Sequence, residues 1–271
     1  MKNKKSTIAL WLIFIIGLSL LLYPSVSDYW NSFRQTKAIA GYVEKVATMD
    51  AEEYARVLKS AEEYNEMFLG RKNLWVLNEE QTALYENQLN INGDGIMGYI
   101  EIPKINCSLS IYHGTSDKVL QVAVGHLEGS SLPVGGKGTH CVLSRHRGLP
   151  SAQLFTNLDQ LAEGDVFMLY ILGETYTYEV DQIRIVDPDD LSELAVEEDK
   201  DLCTLVTCTP YGVNSHRLLV RGHRADNEVV SNIVVTADAV LTDETVVSVV
   251  IATPVLLGLL VFVLLRSRKR K

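Results

Sequence analysis

The segment DLCTLVTCTPYGVNSHRLLVRGHR, residues 201–224, contains two apolar, strand-like runs separated by a turn. The first run ends at Cys208, the second begins at Arg217, and TPYGVNS between them is rich in turn-forming residues. Such a hairpin places the Cys208 thiol and the Arg217 guanidinium side by side on one face, at one end of a sheet. A nucleophile beside an anion-stabilising group is an arrangement suited to covalent catalysis.

Strand-like runs recur from Ile96 onward, separated by Gly, Pro, Asn and Asp. The runs are GYIEI (98–102), HCVLS (140–144), DVFMLYIL (165–172), TYTYEVDQIRIV (175–186), CTLVTC (203–208) and RLLVRG (217–222). They predict a mainly β domain closed, or nearly closed, into a barrel, because an open sheet of this length would leave exposed edges. We expect one short helix at residues 151–161. The acidic stretch 187–201 is expected to be a solvated connection with at most one helical turn.

Apolar residues at helical spacing precede the strands. They predict an amphipathic helix or helix pair over residues 36–68, broken near Met49 and Asp50, and a further helix over residues 79–89 before the turn sequence NGDG. We interpret this region as a membrane-proximal stalk that packs on the main domain.

Both ends of the chain carry apolar runs flanked by basic residues. Residues 246–265 are uncharged and long enough to span a bilayer, which needs about 20 helical residues. Residues 8–23 follow three lysines and could be a cleaved secretory signal, but SVSDYW lacks an A-x-A cleavage pattern, which favours an uncleaved anchor. Because the basic clusters lie on the terminal side of both runs, we expect a two-pass protein with both termini in the cytoplasm.

These patterns divide the chain into six parts. We expect an N-terminal tail and anchor (1–23), an extracellular helical stalk and candidate lid region (24–92), a catalytic barrel (93–230), a linker (231–245), a C-terminal transmembrane helix (246–265) and a basic cytoplasmic tail (266–271).

The chain has a net charge of −9. Its two tails and spans contain only basic charges, so the segment between them is more acidic than the chain as a whole. An acidic surface repels nucleic acid and anionic lipid, which excludes nucleic acid as an expected partner.

The four cysteines, at positions 107, 141, 203 and 208, do not form a metal-binding or disulfide pattern. We therefore predict no metal and no cofactor. Cys208 differs from the others because it stands at a strand end next to a turn; a strand cysteine is more often a core residue, and a base nearby would change that interpretation. His146 is a candidate base, since it follows a strand and precedes a turn marked by Gly148 and Pro150. The alternative is a solvated loop histidine.

Several blocks taken together resemble the sortases, and most closely class C, the pilin-polymerising sortases of Gram-positive bacteria. The blocks run from about Met97 to Arg224 and comprise MGYIEIPKI, IYHGTS, VGHLEGSSLPVGGKGTH, SRHRGLPSAQLFTNLDQL and TLVTCTPYGVNSHRLLVRGHR. The two predicted spans also agree with class C.

This resemblance implies an eight-stranded barrel and a cysteine transpeptidase. It implies that Cys208 is the nucleophile, His146 the acid/base and Arg217 the group that holds the substrate and stabilises the oxyanion. The implied substrates are pilins or surface proteins with a Leu-Pro-x-Thr-Gly-like (LPXTG) sorting signal, cleaved between Thr and Gly, and the implied acceptor is a Lys amine of a neighbouring pilin. Three alternatives stay open: attachment of single proteins to the cell wall, hydrolysis by a thiol peptidase, and a non-enzymatic scaffold.

The sequence departs from the class C pattern in two places. It lacks the Asp-Pro-aromatic lid motif ahead of the barrel; Trp75 in GRKNLWVLNEEQ is the candidate lid residue, and packing of Trp75 on the stalk is the alternative. Arg145 stands where the family often has a small residue before the histidine.

Overall fold

The computed structural model of the chain describes residues 2–67, 75–147 and 155–227, with side chains from residue 8 onward. Among the described residues, those up to Trp30 belong to one unit and those from Asn31 to residue 227 belong to a second. The strands and the candidate site belong to the second unit.

Eight strands close into a barrel in the order β1-β2-β3-β4-β7-β8-β6-β5, which confirms the predicted eight-stranded architecture. The strands are β1 (Ile96–Ile102), β2 (Cys107–His113), β3 (Val124–His126), β4 (Thr139–Ser144), β5 (Val166–Ile171), β6 (Glu174–Val186), β7 (Asp201–Thr209) and β8 (His216–Arg224). Two neighbouring pairs, β2 with β3 and β4 with β7, are parallel, and the other pairs are antiparallel.

Alternation along β7 separates the barrel interior from the outer face. Cys203 and Leu205 point into the main core, whereas Val206 and Cys208 are only partly buried. Because successive side chains of a strand point to opposite faces, the outer face of β7 carries Val206 and Cys208 together. That face is where the predicted nucleophile becomes accessible.

Four α-helices and three short 3₁₀ helices accompany the strands in the described residues. They are α1 (Lys2–Ala47), α2 (Ala51–Glu66), α3 (Glu79–Asn87) and α4 (Asp117–Leu120), with 3₁₀ turns at Pro103–Ile105, Phe155–Gln160 and Ser192–Leu194. The predicted break near Asp50 is confirmed, because Asp50 caps α2 by accepting a hydrogen bond from the Glu53 backbone N–H at 2.7 Å. The predicted start at residue 36 is wrong, since α1 begins at Lys2 and continues through Pro24.

The part of α1 after Asn31, together with α2 and α3, packs directly on the barrel. The Tyr42 hydroxyl donates to the Met97 carbonyl at 3.0 Å and accepts from the Leu172 backbone N–H at 2.8 Å. Tyr64 of α2 and Tyr85 of α3 are members of the main hydrophobic core. These helices therefore complete the core of the barrel.

The apolar part of α1 is the one helix among the described residues that is long and apolar enough to cross a membrane. Its span, Ile8–Ala47, contains a window of mean hydropathy 2.2. The predicted linker (231–245), C-terminal span (246–265) and basic tail (266–271) lie outside the described residues.

Candidate active site

The β7–β8 hairpin brings Cys208 and Arg217 together. The two residues are direct partners in the antiparallel register, so their side chains lie on the same face. The turn between them is closed by hydrogen bonds from the Val213 and Asn214 backbone N–H groups to the Pro210 carbonyl, at 3.1 and 2.9 Å. The hairpin predicted from the sequence is thus present, with the thiol partly exposed.

Arg217 donates to carbonyl oxygens and to no carboxylate within the described part of the chain. Its Nη1 lies 3.4 Å from the Asn214 oxygen and 3.2 Å from the His216 oxygen. The nearby Asp187 carboxylate instead lies 3.6 Å from His216 Nε2. The guanidinium charge is therefore not neutralised by an acidic side chain and can bind a substrate oxygen.

The end of β4 carries His146 to the same place. Ser144 pairs with Val206, and the chain beyond Ser144 stays tied to β7: the Arg145 backbone N–H donates to the Val206 carbonyl at 3.1 Å, and Thr207 Oγ1 donates to the Arg145 carbonyl at 2.9 Å. His146 and Cys208 each follow the Ser144–Val206 pair by two positions, so continuing this parallel register directs His146 toward Cys208.

A carboxylate that the sequence analysis did not single out lies next to His146. Asp117 Oδ1, at the start of α4, is 3.8 Å from His146 Nε2. Asp117 directly follows the IYHGTS block in the sequence, and this position was the signal that could have identified it. Asp117 is 89% exposed, so solvent weakens its interaction with the histidine.

An apolar cluster lies on the outer side of the sheet, close to the strand ends that carry Cys208 and Arg217. Val142, Leu194 and Leu219 are buried in it, and partly buried Val206, Val186 and Leu127 surround them. We call this set the groove cluster. Val206 and Leu219 lie two positions from Cys208 and Arg217 on their strands, so the cluster extends directly from the candidate site.

Trp75 packs against the groove cluster. The buried members of this cluster belong to β4, to β8 and to the connection between β6 and β7.

Comparison with known proteins agrees with this geometry. The Sortase domain family matches residues 100–225. Sortase C1 from Streptococcus agalactiae superimposes with a TM-score of 0.68 at 54% sequence identity, over 70% of this chain and 99% of that one. The chain belongs to the sortase family.

Other sortases show the same likeness. A sortase C of Streptococcus pneumoniae, whose structure was described with reference to catalysis and pilin substrate specificity, has a TM-score of 0.62 at 39% identity and covers 70% of this chain and 97% of its own. Sortase D of Bacillus subtilis is 35% identical over 130 residues, 47% of this chain and 63% of sortase D. The matched segment thus spans less than two thirds of that relative.

The remaining cysteines of this sortase differ from Cys208 in environment. Cys141 and Cys203 are buried and face each other on β4 and β7. Burial raises the pKa of Cys203 and raises the pKa of Cys107 to about 12, so both stay protonated near neutral pH. Among residues 2–67, 75–147 and 155–227, no group of His, Cys, Asp or Glu side chains could hold a metal ion.

Three other histidines of the sortase have structural contacts. Burial lowers the pKa of His113 and of His140, and each contacts backbone carbonyls: His113 those of Gly95 and Gln88, His140 that of Ala195. His126 is fully buried and lies 2.9 Å from the Tyr85 hydroxyl. His126 and His140 are buried and His113 is held by two carbonyls, so all three have structural roles.

Proposed function

We propose that this sortase is a class C, membrane-anchored cysteine transpeptidase that acts in pilus assembly. The single observation that carries the proposal is the direct pairing of Cys208 with Arg217 in the β7–β8 register. The likeness to class C sortases supports the choice of a pilin as substrate.

In the first step, Cys208 gives its thiol proton to His146, and its Sγ attacks the Thr carbonyl carbon of a sorting signal such as Leu-Pro-x-Thr-Gly. Arg217 donates hydrogen bonds to the oxyanion that forms, and His146 gives a proton to the departing Gly amine. The C–N bond breaks and a thioester between Thr and Cys208 remains.

In the second step, a Lys amine of another pilin subunit attacks the thioester. His146 takes the proton from the amine, the C–S bond breaks, and an isopeptide bond joins the two subunits. Water as the acceptor would give hydrolysis, and a wall-precursor amine would give attachment of single proteins to the cell wall.

Both ends of the chain contribute to the proposed location. The apolar part of α1 anchors the protein, and residues 246–265 form a second span, which leaves both termini in the cytoplasm and the barrel on the extracellular face. The sorting signal and the acceptor amine therefore meet the site outside the cell.

The test is the intact mass of the full-length protein in detergent after incubation with a Leu-Pro-x-Thr-Gly peptide. We expect a mass gain equal to the peptide without its Gly-containing leaving fragment, and no gain in Cys208→Ala. Adding a Lys-containing acceptor peptide should release a ligated product. A scaffold that needs no chemistry would support pilus assembly with Cys208→Ala, which would contradict the proposal.

Trp75 is proposed to act as the lid residue, since it packs against the groove cluster. Trp75→Ala should expose the groove and raise the rate at which a bulky maleimide labels Cys208 several-fold. Val76→Ala is the matched control, because Val76 is the next residue and is 81% exposed. Equal labelling rates in wild type and Trp75→Ala would remove the lid role.

A further inference from the structure

The connection between β6 and β7, residues 187–200, forms one wall beside the groove cluster. We call it the β6–β7 segment. Its Leu194 is 4% exposed and packs with Val142 and Leu219 of β4 and β8. The segment therefore packs on the same outer face of the sheet that carries Cys208.

Arg221 of β8 ties this segment to the barrel. Its Nε and Nη2 donate to the two carboxylate oxygens of Asp181, both at 3.0 Å, and its Nη1 donates to Glu197 Oε1 at 3.3 Å. All three guanidinium nitrogens are thus engaged, two with the sheet and one with the β6–β7 segment. Because the guanidinium is planar, these hydrogen bonds fix the orientation of the two carboxylates as well as their distance from Arg221.

A β-bulge in β6 places Asp181 for this contact. Val180 pairs with Gly222 and Gln182 pairs with Arg221, so Asp181 is an extra residue between two consecutive partners. A bulge redirects a side chain that regular alternation would place elsewhere. The Arg221 and Asp181 side chains are 17% and 24% exposed, so solvent screens this pair less than it screens a surface ion pair.

Two further hydrogen bonds hold the same segment. Gln182 Nε2 donates to Glu193 Oε2 at 2.8 Å, and His140 Nδ1 lies 2.8 Å from the Ala195 carbonyl oxygen. The segment is therefore fixed at residues 193, 195 and 197. A shallow pocket opens beside these ties, lined by Gln182, Arg184, Glu193, Thr204, Leu219 and Arg221.

We infer that Arg221 is a positioning residue for substrate binding: it fixes the β6–β7 segment as the wall against which the sorting-signal peptide lies. The inference rests on the proposed function. Arg221 pairs with Thr204, four residues from Cys208 and roughly 13 Å away along the strand, so it does not touch the reacting atoms. Its effect is on the binding surface, and the chemistry stays with Cys208.

The test compares Arg221→Gln with Arg184→Gln in the full-length protein. Arg184 lines the same pocket and is exposed, but it forms no ion pair among the residues described. We expect Arg221→Gln to raise KM for the sorting-signal peptide about tenfold with kcat nearly unchanged, the pattern of lost binding that is equal in ground and transition states. Arg184→Gln should leave both KM and kcat unchanged. Arg221→Lys should have a KM between those of wild type and Arg221→Gln.

Two kinetic results would overturn the inference. An equal rise of KM in Arg221→Gln and Arg184→Gln would show that charge alone matters. A fall of kcat at constant KM in Arg221→Gln would show that Arg221 acts on the chemical step.

Hydrogen exchange provides a readout that does not depend on turnover. Arg221→Gln, and the less disruptive Glu197→Gln, should speed amide exchange within residues 187–200 while β7 and β8 keep their protection. Unchanged exchange in this segment would overturn the inference even if KM rose. A wild-type protein without transpeptidase activity would instead count against the proposed function, and the exchange experiment would still decide whether Arg221 holds the segment.

Discussion

Arg217 donates to backbone carbonyls, whereas Arg221, four residues further along β8, is fully engaged with carboxylates. Two of the three arginines on β8 therefore have different tasks. Arg217, which has no acidic partner among the described residues, can bind an oxyanion. Arg221, which is paired with Asp181 and Glu197, holds the β6–β7 segment on the barrel.

Arg217→Lys should lower the transpeptidation rate about 10²–10³-fold, because a point charge cannot reproduce the planar donor fork at the oxyanion. Steady-state kinetics with a sorting-signal peptide and a Lys acceptor would measure it, with Arg184→Lys as the control for a generic Arg-to-Lys change. Near-normal rates in Arg217→Lys would remove Arg217 from the mechanism.

Arg145 presents the opposite situation, a buried cation without a counter-charge. It is 2% exposed, its Nε and Nη1 have no hydrogen-bond partner, and burial lowers its pKa to about 9. The neighbouring titratable side chain is the Cys107 thiol, which stays protonated and so gives Arg145 no counter-charge. A buried, unpaired charge costs stability.

Arg145→Met should therefore raise the free energy of unfolding, by about 1–4 kcal/mol, because an apolar side chain of similar length removes the buried charge. Urea denaturation of the two proteins would measure the change. Arg56→Met on α2, at an exposed position, controls for loss of a positive charge. A less stable Arg145→Met protein would mean that the guanidinium contributes more than its geometry indicates.

At the scale of elements, β4 is held to its surroundings through His140. Its Nε2 lies 2.7 Å from Thr204 Oγ1 on β7, and its Nδ1 contacts the Ala195 carbonyl. Arg221, Glu197 and Asp181 are the charged groups that face it. Burial is the main reason that its pKa is lowered, so the folded protein favours neutral imidazole.

This shift predicts a loss of stability in acid. As the pH falls below about 6.5, the ordinary value for histidine, the unfolded state takes up the proton before the folded state does, so the free energy of unfolding decreases. His140→Gln should reduce this slope by up to about 1.4 kcal/mol per pH unit. Urea titrations between about pH 6.5 and 5 would measure it, with exposed His223→Gln as control; identical slopes in wild type and His140→Gln would contradict it.

Local pattern predicted some elements and missed others. The β7–β8 hairpin was predictable because its two strands are adjacent in sequence and joined by a turn, so Cys208 and Arg217 could be paired directly. β3 has three residues, too few to show alternation, and it pairs in parallel with β2. The Asp181 bulge and its contact with Arg221 join positions 40 residues apart, which periodicity does not report.

At the scale of the whole molecule, the helices after residue 31 and the barrel share one core. Asn65 of α2 is 5% exposed; its Nδ2 donates to the Leu132 carbonyl at 3.2 Å and its Oδ1 accepts from the Leu132 backbone N–H at 2.7 Å. An amide side chain therefore satisfies both backbone groups of one buried residue. This contact was not predictable from sequence, because it depends on how the helix lies on the barrel.

Asn65→Ala should lower the free energy of unfolding by about 1–3 kcal/mol, since the Leu132 backbone N–H loses its partner in a buried site, while the Leu132 carbonyl keeps the hydrogen bond from the Val134 N–H. Urea unfolding followed by circular dichroism and by fluorescence should give coincident transitions in wild type, as expected for one cooperative unit. Asn87→Ala on α3, whose side chain bonds only within its own helix, is the control. Separate transitions for helices and barrel would show that they fold independently.

The β7–β8 hairpin also has an evolutionary consequence. The strands set the register that pairs Cys208 with Arg217. The six residues that connect the two strands, 210–215, lie outside this pairing, and Tyr211 and Val213 among them are exposed. Mutation can therefore alter or lengthen this connection without changing the distance between thiol and guanidinium. During evolution, the binding surface formed by residues 210–215 can change while the catalytic pair of Cys208 and Arg217 stays the same.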